Sequence, residues 1–147
     1  MTFLLDTQAW YWLATGAREI PADLRKTLME HQELLGVPAV SPAELAMKER
    51  IGRIQPDRPT GMRFPEPFRA WVSKALPEDT YQIVPLTPDI CAEAFDLPGD
   101  FHRDPFDMMI VATARVQNLI LVTSDEAIRD YPHVRKVHFS PVRATAG

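Results

Sequence analysis

The sequence predicts an α/β domain with a central, mainly parallel sheet and helices on both of its faces. Three observations carry this expectation. Short apolar runs alternate with segments of helical periodicity along the whole chain, a pattern that implies right-handed crossovers between parallel strands. The run Leu119-Ile120-Leu121-Val122 is apolar throughout, as a strand buried on both sides must be. The 147 residues are 46% hydrophobic and 24% charged, enough apolar material for one sizeable core and no sign of a second domain or an internal repeat.

Each element has its own justification. Phe3-Leu4-Leu5 reads as a strand ending at Asp6-Thr7, and Ala9, Trp10, Trp12 and Leu13 as a helix closed by Gly16. Pro21 suits a first helical position, with Leu24, Leu28 and Met29 as the apolar stripe of a second helix. Val37–Val40 reads as a strand in which Pro38, lacking an N–H, is tolerated only at the start or at an unpaired position. Ser41-Pro42-Ala43-Glu44 has the grammar of a capping box and starts a helix from about Pro42 to Ile51. Residues 53–67 hold four prolines and a glycine and are expected to form an exposed, mobile loop. Phe68, Trp71, Val72 and Ala75 recur at helical spacing, Gln82–Leu86 forms the next strand, and another helix starts at Pro88. Asp104-Pro105-Phe106-Asp107 opens a largely apolar helix that stops near Asn118. Ser124-Asp125 opens another, and Val137-His138-Phe139 is a last short strand.

Composition narrows the function classes. The single cysteine, Cys91, rules out a disulfide within the chain and reads as a core thiol. No run of 18 apolar residues is present, and Met1–Asp6 has neither a basic leader nor a long apolar stretch, so a cytoplasmic protein with no membrane association is expected. The net charge of −4 argues against a simple polycation, yet it is unevenly spread. Residues 48–74 carry Lys48, Arg50, Arg53, Arg58, Arg63, Arg69 and Lys74 against Glu49, Asp57 and Glu66, so this stretch alone is +4. Such a stretch serves either as a solvated face or as a surface for a phosphate backbone, with Arg50 and Arg53 as candidates for the latter.

In open α/β sheets ligands bind beyond the carboxyl ends of the strands, and there the sequence is acidic. Asp6 follows the first strand, Glu44 lies just after the second, Asp125 follows the strand at 119–122, and Asp107 opens the helix leading into it. Singly, each has an ordinary structural use as a cap or turn residue. Together, carboxylates crowded on one rim raise each other's pKa unless a cation sits among them. An all-oxygen donor set selects Mg²⁺ or Mn²⁺, which suits phosphodiester hydrolysis by an activated water. His31, His102, His133 and His138 show no metal-ligand spacing and read as surface or packing residues.

The segments LLDTQAWYWL (4–13), VSPAELAMKERIGRI (40–54), HRDPFDMMIVATA (102–114) and LVTSDEAIRDYP (121–132) resemble PIN-domain nucleases, and among these the VapC-type toxins. The resemblance covers nearly the whole chain in order and spacing. It implies a PIN-like three-layer sandwich over residues 1–147 and a metal-dependent ribonuclease leaving a 5′ phosphate and a 3′ hydroxyl. Asp6, Glu44, Asp107 and Asp125 would be the catalytic, Mg²⁺- or Mn²⁺-holding acids. Thr123 would support the pocket, Asp104 would act as a helix cap, and Arg103 beside the pocket could touch a phosphate. The resemblance further implies a homodimer held inactive by a small antitoxin, for which the first helices, with Trp10, Tyr11 and Trp12, and the loop at 53–67 are candidate contacts. Ala43 stands where relatives often have tryptophan, and Pro38 is unusual in its strand. The rival reading is a non-catalytic module binding RNA or protein through the same groove. An aspartyl-phosphate phosphatase is disfavoured, because Asp6-Thr7-Gln8 lacks a second aspartate two residues on.

Overall fold

The computed structural model describes residues 1–101 and 104–143. Five strands, β1 (Phe3–Leu5), β2 (Leu35–Pro38), β3 (Tyr81–Val84), β4 (Ile120–Thr123) and β5 (Lys136–His138), form one sheet in the order β3-β2-β1-β4-β5, every pairing parallel. The helices are α1 (Thr7–Ala14), α2 (Ala22–Glu30), α3 (Val40–Ile54), α4 (Phe68–Lys74), α5 (Pro88–Ala94), α6 (Pro105–Val116) and α7 (Glu126–Asp130).

Alternation along the strands divides the core between the two faces of the sheet. Leu5, Val37 and Val122 point to one side, where Ala9, Trp10 and Leu13 of α1, Leu28 of α2 and Trp71 of α4 cover them. Leu4, Val84 and Leu121 point to the other and meet Ile110, Val111 and Ala114 of α6 and Ile128 of α7. The α5 helix packs on the outside of α6 through Ile90 and Ala94 against Ala112. Trp10 is fully buried, and its indole N–H donates to the Ala75 carbonyl at 3.0 Å, which satisfies the one polar atom it brings into the core.

Several local expectations are corrected. The second strand is Leu35–Pro38, two residues earlier than its pattern suggests, so Pro38 stands at the end of the strand rather than near its start. Its pairing with β3 includes Pro38 opposite Val84 and is bracketed by the Leu35 N–H donating to the Thr80 carbonyl and the Ala39 N–H donating to the Val84 carbonyl, both at 2.9 Å. The α3 helix consequently begins at Val40 and continues to Ile54. Ser41 therefore lies inside the helix, buried, instead of capping it, and the expected capping box with Glu44 does not form. Pro21 precedes α2 as its cap residue instead of opening it. Cys91 is exposed on α5 and is not a core thiol.

Residues 55–67 carry no helix or strand, but their second half is packed down. The Met62 N–H donates to the Lys48 carbonyl at 2.9 Å, and Phe64 sits edge-on to Trp71 with ring centroids 4.7 Å apart. Gly52 makes this possible: a β-carbon there would lie 2.3 Å from the Met62 carbonyl oxygen, so only glycine lets the returning backbone approach α3 so closely.

Candidate active site

The topology brings the ends of β1, β2, β4 and β5 to one rim, and a cleft of about 730 Å³ opens there. Asp6 leaves β1 as the cap residue of α1, its Oδ1 accepting the Ala9 N–H at 2.8 Å. Its Oδ2 accepts the Thr123 hydroxyl at 2.6 Å, and the same hydroxyl oxygen accepts the Asp125 N–H at 3.0 Å. Thr123, fully buried at the end of β4, thus ties the first acid to the backbone of another. Asp125 caps α7 through Oδ1, which accepts the Ile128 N–H at 2.9 Å. Asp104 caps α6, accepting from the Phe106 and Asp107 N–H groups at 2.9 and 3.3 Å, and so sets Asp107 in the first turn. Thr7 donates its hydroxyl to Ser41 Oγ at 3.0 Å, a buried link between the first turns of α1 and α3. These caps fix the backbone that carries the acids at the edge of the cleft that they line.

Glu44 has no such task. With the capping box absent, its side chain is buried on the cleft side of α3. Oε2 lies 3.4 Å from the Lys48 ammonium, one turn further along the helix, and Oε1 has no hydrogen-bond partner. A buried carboxylate oxygen without a partner is costly, and the cost is removed by a cation in the adjoining space.

All four expected acids, Asp6, Glu44, Asp107 and Asp125, line this cleft together with Asp104. Burial pushes the Asp107 carboxyl up to about 8, with the charges of Asp104, Asp125, Glu44 and Asp6 adding to it. Asp6 is pushed up to about 6, again chiefly by burial. Its hydrogen bonds from Thr123 and Ala9 pull the other way, while Asp125 and Glu44 push further up. Two displaced carboxyls that feel the same neighbours mark a site short of positive charge.

The donor set fits a hard divalent cation: carboxylate oxygens only, one of them buried and unpartnered. Among the described residues no three His, Cys, Asp or Glu side chains are placed closely enough to hold a metal ion as they stand, so the acids line one open cleft without forming a finished coordination site. Such an arrangement leaves room for solvent and a phosphate oxygen beside an ion.

The expected phosphate contacts fare differently. Arg50 is exposed, Arg53 pairs with Glu49 at 3.2 Å in solvent, and neither lines the cleft. Arg103 and His102 lie outside the described residues. His31, His133 and His138 do not line the cleft; His31, for example, sits edge-on to Phe3 at 5.1 Å. Residues that the sequence does not single out for the pocket also line it: Thr7 and Arg143, together with Lys48, noted there only within the basic stretch, and Trp12, noted there only as a partner contact. Lys48 could have been found from its spacing of four from Glu44, which puts the two on one helical face. Arg143 gives no such signal, because the segment after β5 has no periodicity to read.

The PIN domain family model matches residues 3–134 of the chain. Ribonuclease VapC22 of Mycobacterium tuberculosis is 32% identical over 136 residues, which span 92% of this chain and 96% of that protein. Among solved structures, the DNA-bound VapBC of Salmonella typhimurium has a TM-score of 0.64 at 15% identity, covering 94% of this chain and 98% of the other. VapBC2 of Rickettsia felis, bound to a promoter DNA fragment, has a TM-score of 0.62 at 13% identity with the same coverage. Mycobacterium tuberculosis VapC20, a toxin that cleaves the sarcin-ricin loop, has a TM-score of 0.52 at 12% identity over 91% of this chain and 99% of its own. At those identities the structures speak for the fold, while the family model and VapC22 speak for ancestry across nearly the whole length. With a five-stranded parallel sheet, its acids gathered beyond the strand ends and these likenesses in sequence, the chain belongs to the PIN-domain family, in its VapC branch.

Proposed function

We propose that this chain is an endoribonuclease dependent on Mg²⁺ or Mn²⁺, the toxin of a toxin–antitoxin pair, acting in the cytoplasm as a homodimer that a small antitoxin restrains. The observation that carries the enzymatic reading is the unpartnered, buried Glu44 oxygen in a cleft where Asp6 and Asp107 already hold their protons too tightly. VapC22, named as a ribonuclease, and the toxin–antitoxin complexes among the structural neighbours support the same reading.

Asp6, Glu44, Asp107 and Asp125 are the residues that would hold the ion. When bound, a divalent cation supplies a lowered pKa for water and a sink for charge on the phosphate. The chain's own work is positional. Thr123 fixes the Asp6 carboxylate in one orientation and the Asp125 backbone with it. Asp104 fixes the first turn of α6 and hence Asp107. Asp107, whose carboxyl burial pushes up to about 8, would release its proton to solvent on holding the ion. Attack of water on phosphorus opposite the 3′ oxygen breaks the P–O3′ bond, leaving a 5′ phosphate and a 3′ hydroxyl. No described helix is long and apolar enough to cross a membrane.

The test is sequencing of RNA ends produced by the purified protein in Mn²⁺, beside Asp107→Asn. Discrete ends bearing 5′ phosphates that vanish in the variant are expected. RNA binding without cleavage in the unsubstituted protein would instead identify a non-catalytic module.

A further inference from the structure

Among the described residues, the cleft is lined by six carboxylate residues, Asp6, Glu44, Asp104, Asp107, Asp125 and Glu126, and by two cationic ones, Lys48 and Arg143. A polyanion entering so acidic a cleft is repelled unless fixed positive charge guides it, so the position of these two side chains decides how a phosphate chain can lie.

They come from opposite flanks. Lys48 stands on α3, which follows β2. Arg143 stands on the segment that follows β5, and β1 and β4 lie between those two strands. Strands are about 4.8 Å apart, so β2 and β5 are separated by about 14 Å, with the acids of β1 and β4 in between. Both flanks are anchored. Lys48 lies over the Glu44 carboxylate, and its own carbonyl receives the Met62 N–H. The segment after β5 is held by the buried Phe139 side chain against Trp12, by the Phe139 N–H to the Thr123 carbonyl at 3.0 Å and by the Val142 N–H to the Glu19 carbonyl at 2.9 Å. Arg50 and Arg53 are turned elsewhere. At about 100° per residue, Arg53 falls on the opposite face of α3 from Glu44, and Arg50 about 120° away from it.

We propose that Lys48 and Arg143 are the substrate-contacting cations of this site. They bind phosphates of one RNA strand on either side of the acids, so that the strand crosses the rim from α3 to the C-terminal segment with the scissile phosphate in the middle. The proposal rests on the ribonuclease reading above. Lys48 also holds Glu44 by its second contact, so its ammonium joins an ion-holding acid to the substrate backbone. Arg50 and Arg53 then have no part in holding the strand.

The experiment is fluorescence anisotropy of a labelled single-stranded oligoribonucleotide, in Mn²⁺ over a series of NaCl concentrations, with Asp107→Asn as the non-cleaving background. Each phosphate contact on a single strand contributes roughly 0.7 to the slope of log affinity against log salt. Lys48→Met and Arg143→Ala should each lower affinity about 3- to 10-fold and each flatten the slope by roughly 0.7, while Lys48→Arg keeps the slope and Arg50→Ala with Arg53→Ala leaves it unchanged. Unchanged slopes in both Lys48→Met and Arg143→Ala, or a loss of slope in the Arg50 and Arg53 variant instead, would overturn the proposal. If that happens while the unsubstituted protein still cleaves RNA, only the assignment of the two cations falls. If the unsubstituted protein neither binds nor cleaves RNA, the ribonuclease reading falls and takes this proposal with it.

Discussion

At the amino-terminal edge of the sheet, Arg115 pairs with Glu93 at 2.7 Å and also donates to the His133 carbonyl. Arg135 donates to the Asn118 carbonyl and Oδ1 at 2.8 and 2.9 Å, and Lys136 to the Tyr131 carbonyl at 2.6 Å. Those cations sit where helix C-termini and loop carbonyls accumulate negative partial charge, and each has partners. At the carboxyl-terminal edge the polarity is reversed. Helix N-termini receive Asp6, Asp104 and Asp125 as caps, but the rim carries more carboxylate than caps can use, Asp6 and Asp107 are pushed up, and one Glu44 oxygen is unmatched. At the first end these cations are paired and contribute to folding. The other end is left incomplete, and that incompleteness gives it something to bind.

The contrast is broken most severely by removing an acid. Asp107→Asn should reduce RNA cleavage by a factor of about 10² or more while leaving the metal-free fold intact at neutral pH, since the amide, like the protonated carboxyl it replaces, carries no charge to bury. Cleavage assays and circular-dichroism melts on the same sample check both halves. Thr123→Val comes next. It deletes the hydroxyl shared by Asp6 and Asp125, so cleavage should fall about 10- to 100-fold, with roughly 1–2 kcal/mol lost from denaturant-measured stability.

A pH series sharpens the comparison. Asp6 and Asp107 have folded-state pKa values near 6 and 8, above their ordinary 3.8, so the folded chain holds protons that the unfolded chain has released. The sign follows: their contribution is fully present below about pH 4 and is lost as pH rises through 6 to 8. Melting temperature in a chelator should therefore be lower at pH 8 than at pH 5. Added Mn²⁺ should raise it by about 5 °C or more at pH 8 and by less at pH 5. The smallest effect belongs to the first end. Arg115→Ala should cost about 1 kcal/mol in a urea melt and leave cleavage unchanged, because its partners serve only the fold.

Much of this was legible in the sequence, for identifiable reasons. The β4 run is apolar at every position because the strand is buried on both faces, and Asp-Pro and Ser-Asp pairs mark helix starts through local hydrogen bonding that needs no tertiary context. The placement of Asp6, Glu44, Asp107 and Asp125 on one rim follows from the rule that parallel strands end on the same side. The capping signature at Ser41 misleads because it is also a plausible helix interior, and α3 begins at Val40, almost directly after β2. The packing of residues 61–64 was invisible because it depends on Gly52 meeting a backbone segment ten residues later. Charge counting along the chain drew attention to Arg50 and Arg53, whereas direction on the helix, which a count ignores, turns them away from the cleft.

The most direct check on the central claim is calorimetric titration of Mn²⁺ into the purified chain near neutral pH, in two buffers of different ionisation enthalpy. The account predicts saturable binding accompanied by proton release, abolished or strongly weakened in Asp107→Asn. Absence of Mn²⁺ binding, or binding of equal strength in the variant, would contradict it.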